Sequence, residues 1–152
     1  MTIVSLVTGG FDPLHSGHIA YFKAAKEFGH SVCVGVNSDD WLTRKKGKPF
    51  MNIDERLSII KELKCVDLAI EFRDKDDSAC DAIEMALEVY DNVVFCNGGD
   101  RGSVNCPEYE RYKDDNRVEF KWGVGGNNKK NSSSWILKQW NENSNYKPSY
   151  YQ

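Results

Sequence analysis

The stretch IVSLVTGGFDPLHSGHIAYFKAAKEFGHSVCVGV, residues 3–36, decides the fold. It opens with a short apolar run, Ile3 to Thr8, that stops at Gly9-Gly10. Ile19, Phe22, Ala25 and Phe28 then recur at three-residue spacing, one face of a helix over 17–28, and Gly29 follows as a C-terminal stop. Ser31 to Val36 is a second short, Val-rich run. A strand, a helix and a strand in so short a span form a βαβ unit, whose two strands run parallel.

The alternation continues outward. Val66 to Phe72, Val93 to Cys96 and Val118 to Trp122 are three more strand-like runs. Ile53, Leu57, Ile60 and Lys64 mark one helix face, and Ala79, Ile83, Ala86 and Tyr90 mark another. A last helix is expected to start at Ser132–Ser134 and to run through Ile136, Leu137 and Trp140. Strands alternating with helices, joined by right-handed crossovers, predict an α/β fold: a doubly wound, Rossmann-like five-stranded parallel sheet flanked by helices. Ligands of such sheets bind outside the carboxyl ends of the strands, where strand order reverses, so function is sought in the loops after the strands.

Length and composition fit one domain. The 152 residues divide into an expected domain over 1–140 and a polar tail over 141–152 that carries three tyrosines. Mean hydropathy is -0.59 and 28% of residues are charged, with no apolar run near the roughly 18 residues a membrane span needs. The amino terminus shows no basic segment followed by a long apolar core, so no secretory leader is read and a cytoplasmic location is expected. A net charge of -3 argues against a nucleic-acid partner. An anionic ligand must therefore be held locally. Cys33, Cys65, Cys80, Cys96 and Cys106 are odd in number and form no CxxC pair, which predicts small apolar fillers rather than a metal or redox centre.

The first loop, Gly9-Gly10-Phe11-Asp12-Pro13-Leu14-His15-Ser16-Gly17-His18, holds two of the three histidines of the chain. Glycines at 9 and 10 let the backbone turn sharply and approach a ligand closely. A helix beginning near Ser16 presents free N–H groups and its positive dipole end to whatever lies over the turn, which makes an anion site. His15 and His18, three apart, project from one side of that start and can each donate to a phosphate oxygen, with charge assistance when protonated.

GGFDPLHSGH resembles the HxGH signature of the nucleotidyltransferase superfamily, specifically its cytidylyltransferase-like members such as glycerol-3-phosphate cytidylyltransferases and the nucleotidyltransferase domain of ADP-heptose synthases. The segment VGVNSDDWLTRKKGKPFMNIDERLSIIKELKCVDLAI resembles the region where, in that family, an Asp follows the second strand, a Lys sits in the next loop and an acidic-x-Arg triplet opens the next helix. Asn97-Gly98-Gly99-Asp100 resembles the loop after the fourth strand, and Asn131-Ser132-Ser133-Ser134 the small-hydroxyl motif opening the last helix. These motifs stand in order at four successive strand ends, across about residues 3–140.

The resemblance implies transfer of a nucleotidyl group, CMP from CTP first of all, to a small phosphorylated polyol or sugar such as glycerol 3-phosphate, releasing pyrophosphate. ATP-dependent adenylyl transfer, of the heptose-phosphate or pyridine-nucleotide type, and a silent nucleotide-binding module are its alternatives. It also implies catalytic roles for His15, His18, Lys46 and Arg56. Nucleotide contacts fall on Gly9, Gly10, Phe11, Asp12, Gly17, Asn97, Gly98, Asp100, Ser132, Ser133 and Ser134, and acceptor contacts on Asp39 and Lys46; Arg101, which follows Asp100 and is not part of the family's pattern, is either a further acceptor contact or an exposed residue. Mg²⁺ is the implied cofactor, with Asp12 as its ligand, and a homodimer the implied assembly. On the residues alone, Arg44-Lys45-Lys46-Gly47-Lys48 reads as a mobile basic loop in which four cations compete for one role, and the lesser reading of Arg56 is an exposed helical arginine paired with Asp54 or a neighbour. The family's Arg shortly before the serine motif is absent: Asn127 stands there, and Lys129 or Lys130 is the expected substitute.

Overall fold

Val4 and Leu6 point to one side of strand β1 (Ile3–Gly9) and Val7 to the other, and all three are fully buried. A strand apolar on both faces belongs in the middle of a covered sheet. The computed structural model, which describes residues 1–99, 101–126 and 132–142, places it there. Around it lie α1 (Ser16–Ala25), β2 (Ser31–Val36), α2 (Asp39–Lys46), α3 (Ile53–Lys61), β3 (Leu68–Glu71), α4 (Cys80–Val89), β4 (Asn92–Cys96), α5 (Pro107–Tyr112), β5 (Val118–Lys121) and α6 (Ser133–Glu142).

The sheet order is β3-β2-β1-β4-β5 and every described pairing is parallel, which is the expected five-stranded doubly wound fold. Val4 sits beside Ser31 in β2 and Val93 in β4, so β1 is paired on both edges. The chain winds from β1 through β2 to β3, then crosses back by α4 to β4. Strand order reverses between β1 and β4, and a cleft opens above their carboxyl ends. Two cores flank the sheet. Val4 and Leu6 pack with Ile83 and Ala86 of α4 and Tyr112 of α5; Val7 packs with Phe22 of α1 and Ile60 of α3.

Two helices lie where the sequence showed no apolar period. Helix α2 buries only Leu42, and α5 is a six-residue helix opened by Pro107. Arg44, Lys45 and Lys46 accordingly form the last turn of a helix, where cations complement the exposed carbonyls, and not a loop. Helix α1 passes into a 3₁₀ turn over Lys26–Phe28 before Gly29, whose backbone is extended (φ -148°) rather than left-handed. Glycine is needed there for proximity: a Cβ would lie 2.7 Å from the backbone nitrogen of Ser5 in the central strand. Gly29→Ala should therefore cost about 1–3 kcal/mol, read as a fall of several degrees in the thermal midpoint, with the loop between β1 and α1 unaffected.

Cys33, Cys80, Cys96 and Cys106 are buried and Cys65 half-buried, all as thiols. No helix among the described residues is long and apolar enough to cross a membrane. Of the polar tail, only the first two residues are described, and they continue α6.

Candidate active site at the β1–β4 switch point

A cleft of about 570 Å³ lies over the carboxyl ends of β1 and β4. One wall is the loop between β1 and α1. Phe11 adopts a left-handed backbone (φ 52°), which a bulky residue holds only when its surroundings over-determine it. Its buried ring does so, meeting Phe22 and His18 edge-on at 5.2 and 5.0 Å.

The two histidines cap α1 reciprocally. His15 Nδ1 accepts the Gly17 N–H (3.1 Å), and His18 Nδ1 accepts the His15 N–H (3.2 Å). An imidazole nitrogen that accepts carries no proton, so both rings are fixed in the tautomer with hydrogen on Nε2. They stack at 3.8 Å between centroids, and burial together with His15 beside it pushes His18 down from 6.5 to about 3. The donors are therefore neutral. Charge-assisted donation, expected from the sequence, is replaced by donation from a fixed neutral ring, because His18 is largely buried and stacked against His15.

The depressed pKa has a consequence for stability. Between 6.5 and about 3 the unfolded chain takes up a proton that the folded chain refuses, so stability falls as pH drops through that window. The His18 ring resonances should stay unshifted from about pH 8 to about pH 5, while the unfolding free energy declines with acid below 6.5. A His18 titration near 6.5 contradicts the arrangement.

Helix α2 supplies the next wall. Ser38 caps it, accepting from the Trp41 N–H (3.0 Å) while donating to the buried Asp74 (2.7 Å). Asp74 also accepts from the Asn37 side chain and the Ser38 N–H, so a residue from beyond β3 sets the β2–α2 turn. Lys46 reaches back across the cleft floor to Asp12, bonding its carbonyl at 2.7 Å and its carboxylate at 2.9 Å. Arg44 turns instead to Asp77, and Lys45 lies 4.6 Å over the Trp41 ring. Lys46 is thus the cation of the cluster that touches the first loop.

Two residues stand differently from the sequence expectation. Asp12 is 2% exposed, and its two oxygens accept the Phe50 N–H (2.6 Å) and the Met51 N–H (2.7 Å) in addition to Lys46. Those bonds commit the carboxylate to fixing the turn before α3. Arg56 is 1% exposed and neither pairs with Asp54 nor lines the cleft. Its Nε donates to Met51 O (2.9 Å), Nη1 to Gly10 O (2.9 Å) and Asn37 O (2.6 Å), and Nη2 to Asp39 Oδ1 (2.7 Å). All three guanidinium nitrogens are engaged beneath the cleft, so Arg56 supports the loops that form the floor.

The remaining walls come from α6 and from the segment after β4. Ser132 is buried as the cap of α6, accepting the Trp135 N–H, and Ser133 Oγ donates to Pro13 O (2.8 Å), which ties α6 to the histidine loop. Ser133 and Ser134 line the cleft, as do Gly9 and Gly10, whereas Gly17 lies inside the first turn of α1. Asn97 is buried, with its amide on Phe95 O and Lys121 O, and joins β4 to β5 rather than facing the cleft. Gly98 packs close to Tyr21, where a Cβ would meet its ring at 3.4 Å. Arg101 lines the cleft and pairs with Glu108. Asp100, Asn127, Lys129, Lys130 and Asn131 lie outside the described residues.

Sequence reasoning missed Tyr21, Trp41, Asp77, Ser78 and Glu108 as cleft residues. Tyr21 stands three residues after His18 on the same helix face, a signal that was available; its hydroxyl donates to Cys96 O (2.5 Å). The others arrive from helices or turns with no motif of their own.

The sequence matches the cytidylyltransferase-like family over residues 6–100. It is 33% identical over 144 residues to the bifunctional protein HldE of Geobacter sulfurreducens, covering 91% of this chain and 28% of that protein. With the bifunctional protein HldE of Pseudomonas aeruginosa it shares 35% identity over 101 residues, 65% of this chain and 20% of the relative. The chain therefore spans less than a third of the length of these curated relatives. Among solved structures it resembles the lipopolysaccharide core biosynthesis protein from Thermoplasma volcanium, with TM-score 0.63 and 30% identity over 80% of this chain and 96% of that one. A candidate nicotinate-nucleotide adenylyltransferase from Vibrio parahaemolyticus shares the fold, with TM-score 0.61 and 13% identity over 94% and 89% of the two chains.

Proposed function

The chain belongs to the cytidylyltransferase-like family, and from that premise we propose that it transfers a nucleotidyl group from a nucleoside triphosphate to a small phosphate ester and releases pyrophosphate. The observation that carries this reading is the reciprocal cap of His15 and His18, which holds two neutral Nε2–H imidazoles over the amino end of α1.

The chemistry asks for little else. The acceptor phosphate is already anionic, so no base has to deprotonate it. One of its oxygens forms a bond to the α-phosphorus as the bond to the bridging oxygen of the leaving group breaks, and that electron pair departs with pyrophosphate. Charge accumulates on the equatorial oxygens of the α-phosphate, and fixed donors aimed there lower the barrier without reorganising. His18 is assigned the larger share because it lines the cleft. Lys46 supplies positive charge, leaving Asp12 to meet the entering phosphates, and Ser133 and Ser134 at the start of α6 suit the β- and γ-phosphates. Arg101, which lines the cleft, is assigned to the acceptor, and Arg56 with its partner Asp39 to holding the floor.

Magnesium does not fit Asp12, each of whose oxygens is committed to a backbone N–H, and no group of three or more metal-ligating side chains lies together among the described residues. A divalent ion would instead be brought in by the nucleotide, whose phosphates it would help to neutralise.

The family points to CTP. The second reading, ATP, is favoured by the identity of 33–35% to the HldE proteins, since ADP-heptose synthases, which this sequence resembles, use adenine nucleotide. A phosphorylated polyol or sugar is the proposed acceptor, and a cytoplasmic homodimer the proposed form. The test is incubation with CTP, ATP, UTP or GTP, each with Mg²⁺ and a panel of phosphate esters that includes glycerol 3-phosphate and sugar phosphates, following pyrophosphate. Release with CTP or ATP and one class of ester is expected. Nucleotide binding without turnover by any pair overturns the reading in favour of a silent module.

A further inference from the structure

Glu108, in the first turn of α5, is 2% exposed and yet lines the cleft. Burying a carboxylate is costly unless it is paired and hydrogen-bonded. Oε1 accepts the Ala79 N–H (2.8 Å), and Oε2 accepts from Arg101 Nη2 (2.7 Å) and from Cys106 Sγ (3.4 Å). The first bond caps α4, whose N-cap residue is an alanine with no side-chain acceptor of its own. The second pins the guanidinium of Arg101, which is one-third exposed on the cleft wall. One buried carboxylate thus joins two segments that leave different strands: the turn before α4, with Asp77, Ser78 and Ala79, and the connection after β4, with Arg101.

This wall faces a different task from the histidine wall. Helix α1 packs on one side of the sheet with Phe22, whereas α4 and α5 pack on the other with Ile83 and Tyr112. Nucleotidyl transfer brings two anions to one phosphorus. The amino end of α1, the histidines and the serines of α6 take the triphosphate. The acceptor phosphate needs a cation of its own, and a guanidinium held through one nitrogen keeps the rest of its fork for phosphate oxygens. Asp77 and Ser78 beside it are acceptors and donors suited to hydroxyl groups.

We propose that Glu108 is a positioning residue for the acceptor: it fixes Arg101 together with the Asp77–Ala79 turn as a wall that receives a hydroxylated phosphate ester. The inference rests on the nucleotidyl-transfer reading above. Glu108 acts through Arg101 and does not touch the nucleotide.

Bisubstrate kinetics test it, with the nucleotide and the phosphate ester that turn over fastest in the panel above. Glu108→Gln keeps the shape and an oxygen for the Ala79 N–H but removes the charge that holds Arg101. The acceptor KM should rise about tenfold, while the Kd of the nucleoside triphosphate, titrated without acceptor, stays within about twofold. Arg101→Gln should raise the acceptor KM at least as much, and adding Glu108→Gln to it should change nothing further. Arg101→Lys, which keeps the buried pair and loses only the fork, should show the same acceptor-only effect even where Glu108→Gln folds poorly. An unchanged acceptor KM in Glu108→Gln, an equal loss in nucleotide Kd, or effects that multiply in the double variant overturn the proposal alone. Absence of wild-type turnover with every pair removes the parent reading and this one with it.

Discussion

His18→Asn should lower turnover by about a hundredfold, on the order of 3 kcal/mol of barrier, and leave the fold almost untouched. The two nitrogens of the ring have separate roles. Nδ1 accepts the His15 N–H and closes the cap of α1, while Nε2 carries the proton that the proposed reaction would offer to the phosphate. Asparagine places an amide oxygen near the position of Nδ1 and nothing at Nε2, so the cap survives and the donor is lost. Glutamine does the reverse: its amide reaches the Nε2 position, and the cap acceptor disappears. His18→Gln should therefore retain more turnover than His18→Asn and yet be less stable, by about 1 kcal/mol, the usual worth of a cap. Steady-state rates and thermal midpoints on the two variants check the crossing. Equal turnover in both, or wild-type turnover in His18→Asn, removes His18 from the reaction.

The same residue shows what a sequence does and does not disclose. Everything that makes the histidine loop legible is local: two glycines, a proline and two imidazoles three apart at the start of a helix. The strands were legible because Val4, Leu6, Val7 and the Val-rich β2 are buried on both faces and so read as continuous apolar runs. Helix α2 was not, since it owes its place to a Ser38 cap and one buried leucine rather than to an apolar stripe. Its three terminal cations were visible, but not that each would find a different partner, in Asp77, in the Trp41 ring and in Asp12. The neutral state of His18 was equally hidden, because it follows from stacking and burial, which spacing does not report. Glu108 falls in the same class. A glutamate after a proline looks like an ordinary first-turn acid until the fold closes Ala79 and Arg101 around it.

Arg56→Met should cost about 3–5 kcal/mol and lower the thermal midpoint by about 10 °C, a larger effect on stability than any change to the histidines. The resemblance to known enzymes implies a catalytic role for Arg56 at the triphosphate or the nucleoside, and its hydrogen bonds point to a supporting one. Its guanidinium ties Gly10 at the end of β1, Asn37 at the end of β2, Met51 before α3 and the carboxylate of Asp39. Methionine fills a similar volume and satisfies none of these acceptors, so three carbonyls and a carboxylate lose their donor in the floor of the cleft. Lysine keeps the charge but not the planar fork; its ammonium can stay with Asp39, and it cannot also hold carbonyls that lie on different sides of the guanidinium. Arg56→Lys should thus fall between the wild type and Arg56→Met in stability, with turnover reduced in both because Gly10 and Asp39 are no longer fixed. Denaturation of the nucleotide-free protein separates the two views of this residue. A phosphate ligand exposed to the cleft would leave the unfolding free energy of the free protein unchanged and weaken nucleotide binding alone; a support beneath the floor lowers stability before any nucleotide is added. An unaltered midpoint in Arg56→Met would return Arg56 to the phosphates.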